Sequence, residues 1–328
     1  MNANPLRIGI AGAGAIGCTL AARLGVRGHT VKVLARGDTL ATIRRDGIHL
    51  TDLDGHHHVH VEASDDAASL GEQELIFVCA KAHALASLLP QLKPMIGADT
   101  VVIPVVNGVP WWYFYGEGGR FEGRRVNAVD PQSTLSQALD LHQVIGCVVF
   151  ITAHCPANAV AESKTPHLMI FGEPDNGLSP RLEQVRALIE SVGIEARSTD
   201  RIRDNLWTKI IANLTSNPLS VITGATLEQL YGQPQLRELV SSCLHEALLT
   251  AAAYGARVSI DPQTFLELGA GMGAVRTSML QDYEKGRPLE LAAIGDAVLE
   301  LADGMAIPMP VTRHLIALAR FRGEHTPH

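Results

Sequence analysis

Apolar and polar positions follow two different periods along this chain, and the period changes once. Up to Ser198, short unbroken apolar runs alternate with stretches of helical spacing. Ile8–Ala11, Val31–Ala35, Glu74–Ala80 and Asp99–Val106 are runs of the first kind, and each reads as a strand buried in a parallel sheet. Between them, 18–25 and 83–92 carry helical spacing. Residues 47–61 alternate loosely about Asp54-Gly55 and predict a hairpin. Residues 144–153 and 168–171 read as further strands, added antiparallel to the sheet. A helix over 179–192 follows, with Pro180 in its first turn, and then a short strand at 194–197. From Asp200 the strand-like runs stop. Helices are expected at 202–217, 233–255, 261–268, 277–284, 289–304 and 311–320, with Pro218 ending or kinking the first. The pattern divides the chain into an α/β domain, 1–198, and an all-helical domain, 199–328, with 323–328 frayed at the end.

The first strand runs straight into Gly12-Ala13-Gly14-Ala15-Ile16-Gly17, and a helix follows. Strand, glycine turn and helix in that order form a dinucleotide-binding fingerprint. Gly12 permits the tight turn, Gly14 lets a pyrophosphate approach the backbone, and Gly17 lets the helix pack close. The helix N-terminus then presents free N–H groups to the phosphates. The second strand ends at Arg36, where an NAD site usually has an acidic residue. An arginine there suits the 2′-phosphate of NADP(H), because its planar fork pairs with phosphate oxygens. Asp38 reads as the cap of the next helix. Lys81 and Asn107 follow the third and fourth strands, at the edge where open α/β sheets bind ligands.

Composition removes several alternatives. The chain has 328 residues, a net charge of −7 and no basic block, so nothing suggests nucleic acid. No apolar run reaches membrane-spanning length, and 1–12 lack the pattern of a signal peptide. Five scattered cysteines, without a zinc spacing, read as reduced thiols of a cytoplasmic protein. His56-His57-His58 and His60 fall on the expected hairpin, where neighbouring side chains point to opposite faces, so no metal site is expected. The segment 110–115, PWWYFY, concentrates aromatics in a chain with only 5% of them. Covering a nicotinamide or a substrate mouth, packing a core and forming a dimer contact all remain open for it. The apolar surface of the helical domain leaves a homodimer and a monomer equally open.

In 206–218, LWTKIIANLTSNP, Lys209, Asn213 and Asn217 recur every four positions and share one helical stripe, with apolar residues around it. A lysine and two amides in such a setting suggest a semi-buried polar cleft whose amides are completed by a small polar substrate. The chain resembles the ketopantoate reductases (2-dehydropantoate 2-reductases) over nearly its whole length. The resemblance rests on the GAGAIG loop, Lys81 in VCAKAHAL, Asn107 in VVNGV, the LWTKIIANLTSNPLS helix, and 277–298, TSMLQDYEKGRPLELAAIGDAV.

That resemblance implies an N-terminal Rossmann domain and an all-helical C-terminal domain like that of 6-phosphogluconate dehydrogenase, with the site between them. It implies reduction of a 2-oxo acid, ketopantoate, by NADPH, the step that yields pantoate for coenzyme A. Lys209 would be the catalytic proton donor, while Asn213, Asn217 and Ser278 would bind the substrate. Glu290 would lie near the nicotinamide end of the cofactor. Lys81 and Asn107 would line the nicotinamide, with Asn107 also touching substrate. The chain departs from the family in the bulk of PWWYFY, in a long 120–143 loop, and in having no asparagine over 220–230. Reduction of another 2-oxo acid, carbonyl or imine, and a non-catalytic NADP-binding sensor, are the alternatives.

Overall fold

The computed structural model describes residues 5–325. The chain packs into two compact units. The first takes in residues up to Val106, then Phe114–Arg124 and Ser133–Ile202. The second takes in Asn107–Tyr113, Arg125–Gln132 and the chain from Arg203 onward.

In the first unit, β1 (Arg7–Ala11) leads to helix α1 (Ala15–Val26), β2 (Thr30–Leu34) and helix α2 (Gly37–Asp46). A hairpin of β3 (Ile48–Asp52) and β4 (Gly55–Val59) follows, then β5 (Glu62–Ser64), α3 (Ala67–Leu70) and β6 (Gln73–Val78). After the short α4 (Leu85–Leu88) comes β7 (Ile96–Pro104). A five-stranded sheet has the order β5-β2-β1-β6-β7, and all its pairings are parallel. Ile8, Ile10 and Phe77 at its centre are fully buried, which accounts for the unbroken apolar runs. Because the strands run one way, Ala11, Leu34, Val78 and Pro104 end along a single edge.

The rest of this unit comprises α5 (Thr134–Ala138), β8 (Gly146–Phe150), β9 (Ala153–Ala157), β10 (Val160–Ser163), β11 (Leu168–Gly172), α6 (Pro180–Ser191) and β12 (Glu195–Ser198). The late strands do not extend the main sheet as antiparallel additions. Strands β8, β11 and β12 form their own sheet, in which β11 pairs antiparallel with β8 but parallel with β12. The β3–β4 hairpin forms about Asp54-Gly55 as its alternation predicts, and β10 and β9 extend it into a four-stranded sheet. Helix α6 begins as expected: the Ser179 hydroxyl accepts from the Leu182 N–H, and Pro180 follows it. The expected helix over 83–92 is instead a 3₁₀ turn (Ala82–Ala84), α4, and a second 3₁₀ stretch (Leu89–Met95). Pro90 and Pro94 carry no N–H, so a continuous α ladder cannot form there.

The second unit is helical. It consists of α7 (Ile202–Thr223), α8 (Leu227–Gly232), α9 (Pro234–Ala253), α10 (Pro262–Gly271), α11 (Ser278–Glu284), α12 (Ala297–Gly304) and α13 (Pro310–Glu324). Pro218 does not end α7, which runs five residues past it to Thr223. Without a Pro218 N–H the Leu214 carbonyl lacks its helical donor, and Cys243 Sγ stands 3.9 Å from that carbonyl in its place. The expected helix over 289–304 opens with a π-helical turn, Ala292–Asp296, before α12. Helix α13 continues to Glu324, so 323–324 are ordered helix rather than a frayed end; 326–328 lie outside the described residues. No described helix is long and apolar enough to cross a membrane.

Candidate active site

Within the first unit the three glycines of the loop meet different surroundings. Gly12 has φ +107°, and a Cβ there would lie 2.6 Å from the Cys79 carbonyl oxygen just past β6. A Cβ on Gly17 would lie 1.9 Å from the Gly12 carbonyl oxygen, so only glycine lets α1 begin this close to the turn. Gly14 differs: a Cβ there would meet nothing within 4 Å. Its missing side chain serves open space on the outer side of the turn, which is where a ligand would approach the backbone. Gly14 is also the residue preceding α1, with no side-chain cap, and no acidic residue stands in the first turn. The first-turn N–H groups are thus left to an anion, and Ala13, Ala15 and Ile16 complete the turn half-buried. The loop fits the pyrophosphate of a dinucleotide.

Arg36 is exposed, two residues past β2 on the same sheet edge. It, and not Asp38, is the residue that precedes α2; Asp38 lies in the first turn, where a negative charge suits the helix dipole. Lys81 is half-buried and immediately precedes the 3₁₀ turn beyond β6. Gly12, Gly14, Arg36 and Lys81 therefore all follow strands that end on one edge.

The remaining predicted residues belong to the second unit. On α7, Lys209 and Asn213 are half-buried, and Asn217 is 3% exposed. Burial pushes the Lys209 ammonium below the ordinary lysine range. Asn217 Oδ1 accepts from the Ser216 hydroxyl at 3.3 Å, while the Nδ2 groups of both Asn213 and Asn217 are buried with no hydrogen-bond partner. Two orphaned amide donors on the stripe of a half-buried lysine are what a polar ligand would complete, since buried donors rarely go unpaired. Ser278, exposed, is the first residue of α11. Its neighbour Thr277 is tied to α7 by a 2.6 Å contact with the Ser220 hydroxyl, one turn beyond Asn217. Nothing in the pattern of the sequence singled out Ser220 or Thr277; their adjacency to Asn217 and Ser278 was the available signal.

Asn107 opens the excursion of the chain into the second unit. Gly108 after it has φ +87°, and a Cβ there would lie 2.4 Å from the Ala293 carbonyl oxygen. The Val109 N–H donates to that same carbonyl at 2.9 Å. The Asn-Gly pair is thus a close backbone crossing against the π-helical turn. Glu290 stands just before that turn, 5% exposed, and its carbonyl accepts from the Ile294 N–H. The 107–109 loop and Glu290 therefore meet the same short segment.

Two models of one protein family match the chain: ketopantoate reductase PanE/ApbA over residues 8–111, and its C-terminal counterpart over 201–323. The 2-dehydropantoate 2-reductase of Mesorhizobium japonicum is 36% identical over 316 residues, 96% of this chain and 97% of its own. The chain belongs to the ketopantoate reductase family. Its members are oxidoreductases acting on a CH-OH group, and they depend on a dinucleotide. A crystal structure of a candidate ketopantoate reductase from Ralstonia solanacearum superposes with a TM-score of 0.93 at 36% identity, covering 98% of each chain. The 2-dehydropantoate 2-reductase of Geobacter metallireducens gives a TM-score of 0.85 at 26% identity, covering 96% of this chain and 99% of its own.

The aromatic segment, the 120–143 segment and the hairpin histidines of this ketopantoate reductase family member each have a defined packing. Trp111, Trp112, Tyr113 and Phe114 are 1–3% exposed, so they are core side chains and not a surface cover. The Tyr113 hydroxyl accepts from Trp207 Nε1 at 2.7 Å, and its ring meets Tyr254 edge-on. The segment 120–143 is not one long loop, since it contains α5, and within it the backbone N–H groups of Asn127 and Ala128 donate to the Glu300 carboxylate. The hairpin histidines stack, His49 on His58 at 4.1 Å. Among the described residues, no group of three or more His, Cys, Asp or Glu side chains is placed to hold a metal ion.

Proposed function

We propose that this reductase converts 2-dehydropantoate to pantoate with NADPH, supplying the pantothenate and coenzyme A pathway. The observation that carries the reading is the α7 stripe, a half-buried lysine with two buried amide N–H groups that lack a partner. The bound dinucleotide supplies the hydride. Gly12 to Gly17 would hold its pyrophosphate and Arg36 its 2′-phosphate, and the family resemblance assigns Lys81, Asn107 and Glu290 to its nicotinamide end. Lys209 delivers a proton to the substrate's carbonyl oxygen and holds the alkoxide as it forms. Burial lowers its pKa, which makes the ammonium a stronger acid toward that oxygen. The amides of Asn213 and Asn217, on the same α7 stripe as Lys209, and the Ser278 hydroxyl at the start of α11 orient the substrate through its carboxylate and hydroxyl groups.

The purified protein should oxidise NADPH with 2-dehydropantoate at low substrate concentration, and NADH more slowly. The absence of asparagine over 220–230 favours a second reading, reduction of another 2-oxo acid, so a panel of such acids belongs in the same assay. Turnover only of other members would retain the chemistry and reassign the substrate. Tight NADPH binding with no turnover of any would leave the sensor reading.

A further inference from the structure

Asn217 and Ser278, both read above as substrate-binding, lie far apart in sequence and on different helices. A buried relay of hydroxyls joins the helix segments that carry them. The Leu280 N–H donates to Thr277 Oγ1 at 3.1 Å, and Thr277 Oγ1 lies 2.6 Å from Ser220 Oγ. Ser220 Oγ in turn donates to the Asn217 carbonyl at 2.7 Å. Counting protons fixes the direction. Ser220 has one hydroxyl proton, and a carbonyl only accepts, so Thr277 must donate the middle bond. Every bond then points from α11 toward α7. Ser220 is 0% exposed and Thr277 6%, so neither hydroxyl can turn to water instead.

Capping α11 requires only the oxygen of Thr277. Its proton is committed to Ser220, and Ser220 has no comparable helix-capping duty, since Asn217 lies within a continuous helix. Replacing Ser220 alone leaves that cap in place, whereas the two hydroxyls together span α11 and α7. Their effect here is to lock the start of α11 in register with the turn of α7 that carries Asn217.

We propose that Ser220 is a positioning residue for substrate recognition. Acting through Thr277, it sets the Ser278 hydroxyl against the Asn217 amide so that both address one carboxylate. This rests on the reading of the α7 stripe as the 2-oxo acid site.

The test compares the full-length parent with Ser220→Ala, Thr277→Val and Thr277→Ser. Each is assayed with NADPH and two substrates, a 2-oxo acid that the parent turns over and its methyl ester. Ser220→Ala should raise KM for the acid about tenfold, the value of one lost hydrogen bond, with kcat and the KM for NADPH largely unchanged. The KM for the ester should hardly move, so the preference for acid over ester should fall by about the same factor. Thr277→Val should act in the same direction, and Thr277→Ser, which keeps the hydroxyl, should retain the parental preference. General loosening of the fold would raise both KM values together. A folded Ser220→Ala variant with the parental acid-over-ester ratio would overturn the positioning role alone. If Ser220→Ala does not fold, the same ratio in the two Thr277 variants decides. A parent with no turnover of any 2-oxo acid would overturn the functional reading, and this one with it.

Discussion

Trp207 Nε1 donates a 2.7 Å hydrogen bond to the Tyr113 hydroxyl, and both side chains are buried, at 0% and 1% exposure. Tyr113 comes from the aromatic segment after β7, and Trp207 lies on α7 two residues before Lys209. Arg203 strengthens the link by donating from Nε to the Tyr113 carbonyl at 2.8 Å. Tyr113→Phe removes the acceptor and strands the indole N–H in the core. The expected cost is about 1–3 kcal/mol, read as a lower urea midpoint with an unchanged m-value. Unchanged stability would mean that the indole finds another acceptor and that this segment does not hold the start of α7.

The glycine loop separates folding from binding. Gly12→Ala forces a side chain into a left-handed backbone and against the Cys79 carbonyl, so it should lower thermal stability with or without cofactor. Gly14→Ala meets nothing within 4 Å and should melt like the parent when no dinucleotide is present. Its added methyl group occupies the approach to the backbone, so dinucleotide affinity should drop by roughly tenfold or more. Equal melting and equal affinity for Gly14→Ala would remove the loop from the cofactor site.

The sequence was most legible where structural demand is local. A glycine beside a strand end, Ser179 and Pro180 at the start of α6, and a lysine–asparagine stripe of period four each carry their reason within a few residues. What it concealed depends on distant partners. Residues 107–113 leave the first unit because the Val109 N–H meets the Ala293 carbonyl, and 125–132 do so because Glu300 caps the Asn127 and Ala128 N–H groups. Helix α7 passes Pro218 with a cysteine from α9 facing the stranded carbonyl. None of these pairings has a periodicity. Over 83–92 the reason is local: Pro90, and Pro94 just beyond, lack the N–H that a continuous α ladder needs, although the apolar spacing is helical.

Arg36 is exposed past the end of β2, on the edge that carries the glycine loop. Under the proposed 2′-phosphate contact, Arg36→Asp exchanges the phosphate's partner for a group suited to ribose hydroxyls. The KM for NADPH should rise roughly tenfold or more, the value of a charge-assisted hydrogen bond, while that for NADH stays level or falls. Parallel changes in both would remove the case for a 2′-phosphate contact.

The proposed role of Lys209 as proton donor ties turnover to pH, because burial lowers its pKa. As a proton donor it works only while charged, so kcat/KM should fall as pH rises through its pKa in the folded protein. That alkaline limb should lie below the ordinary lysine range. Lys209→Met should lose the limb together with roughly 100-fold to 10,000-fold of turnover, and keep dinucleotide binding. The stability effect has the opposite sense. Below the folded pKa both states carry the charge, and the parent bears the full cost of burying it. Between the folded pKa and the ordinary lysine value the unfolded chain binds the extra proton, so parental stability should climb with pH across that window. Lys209→Met should therefore be at least as stable as the parent at neutral pH, with the gap closing toward the ordinary lysine range. Denaturant titrations of the two proteins across that range measure the gap. A parent that loses stability relative to the variant as pH rises would show that the ammonium is held by a favourable partner, and the proton-donor assignment would lose its physical basis.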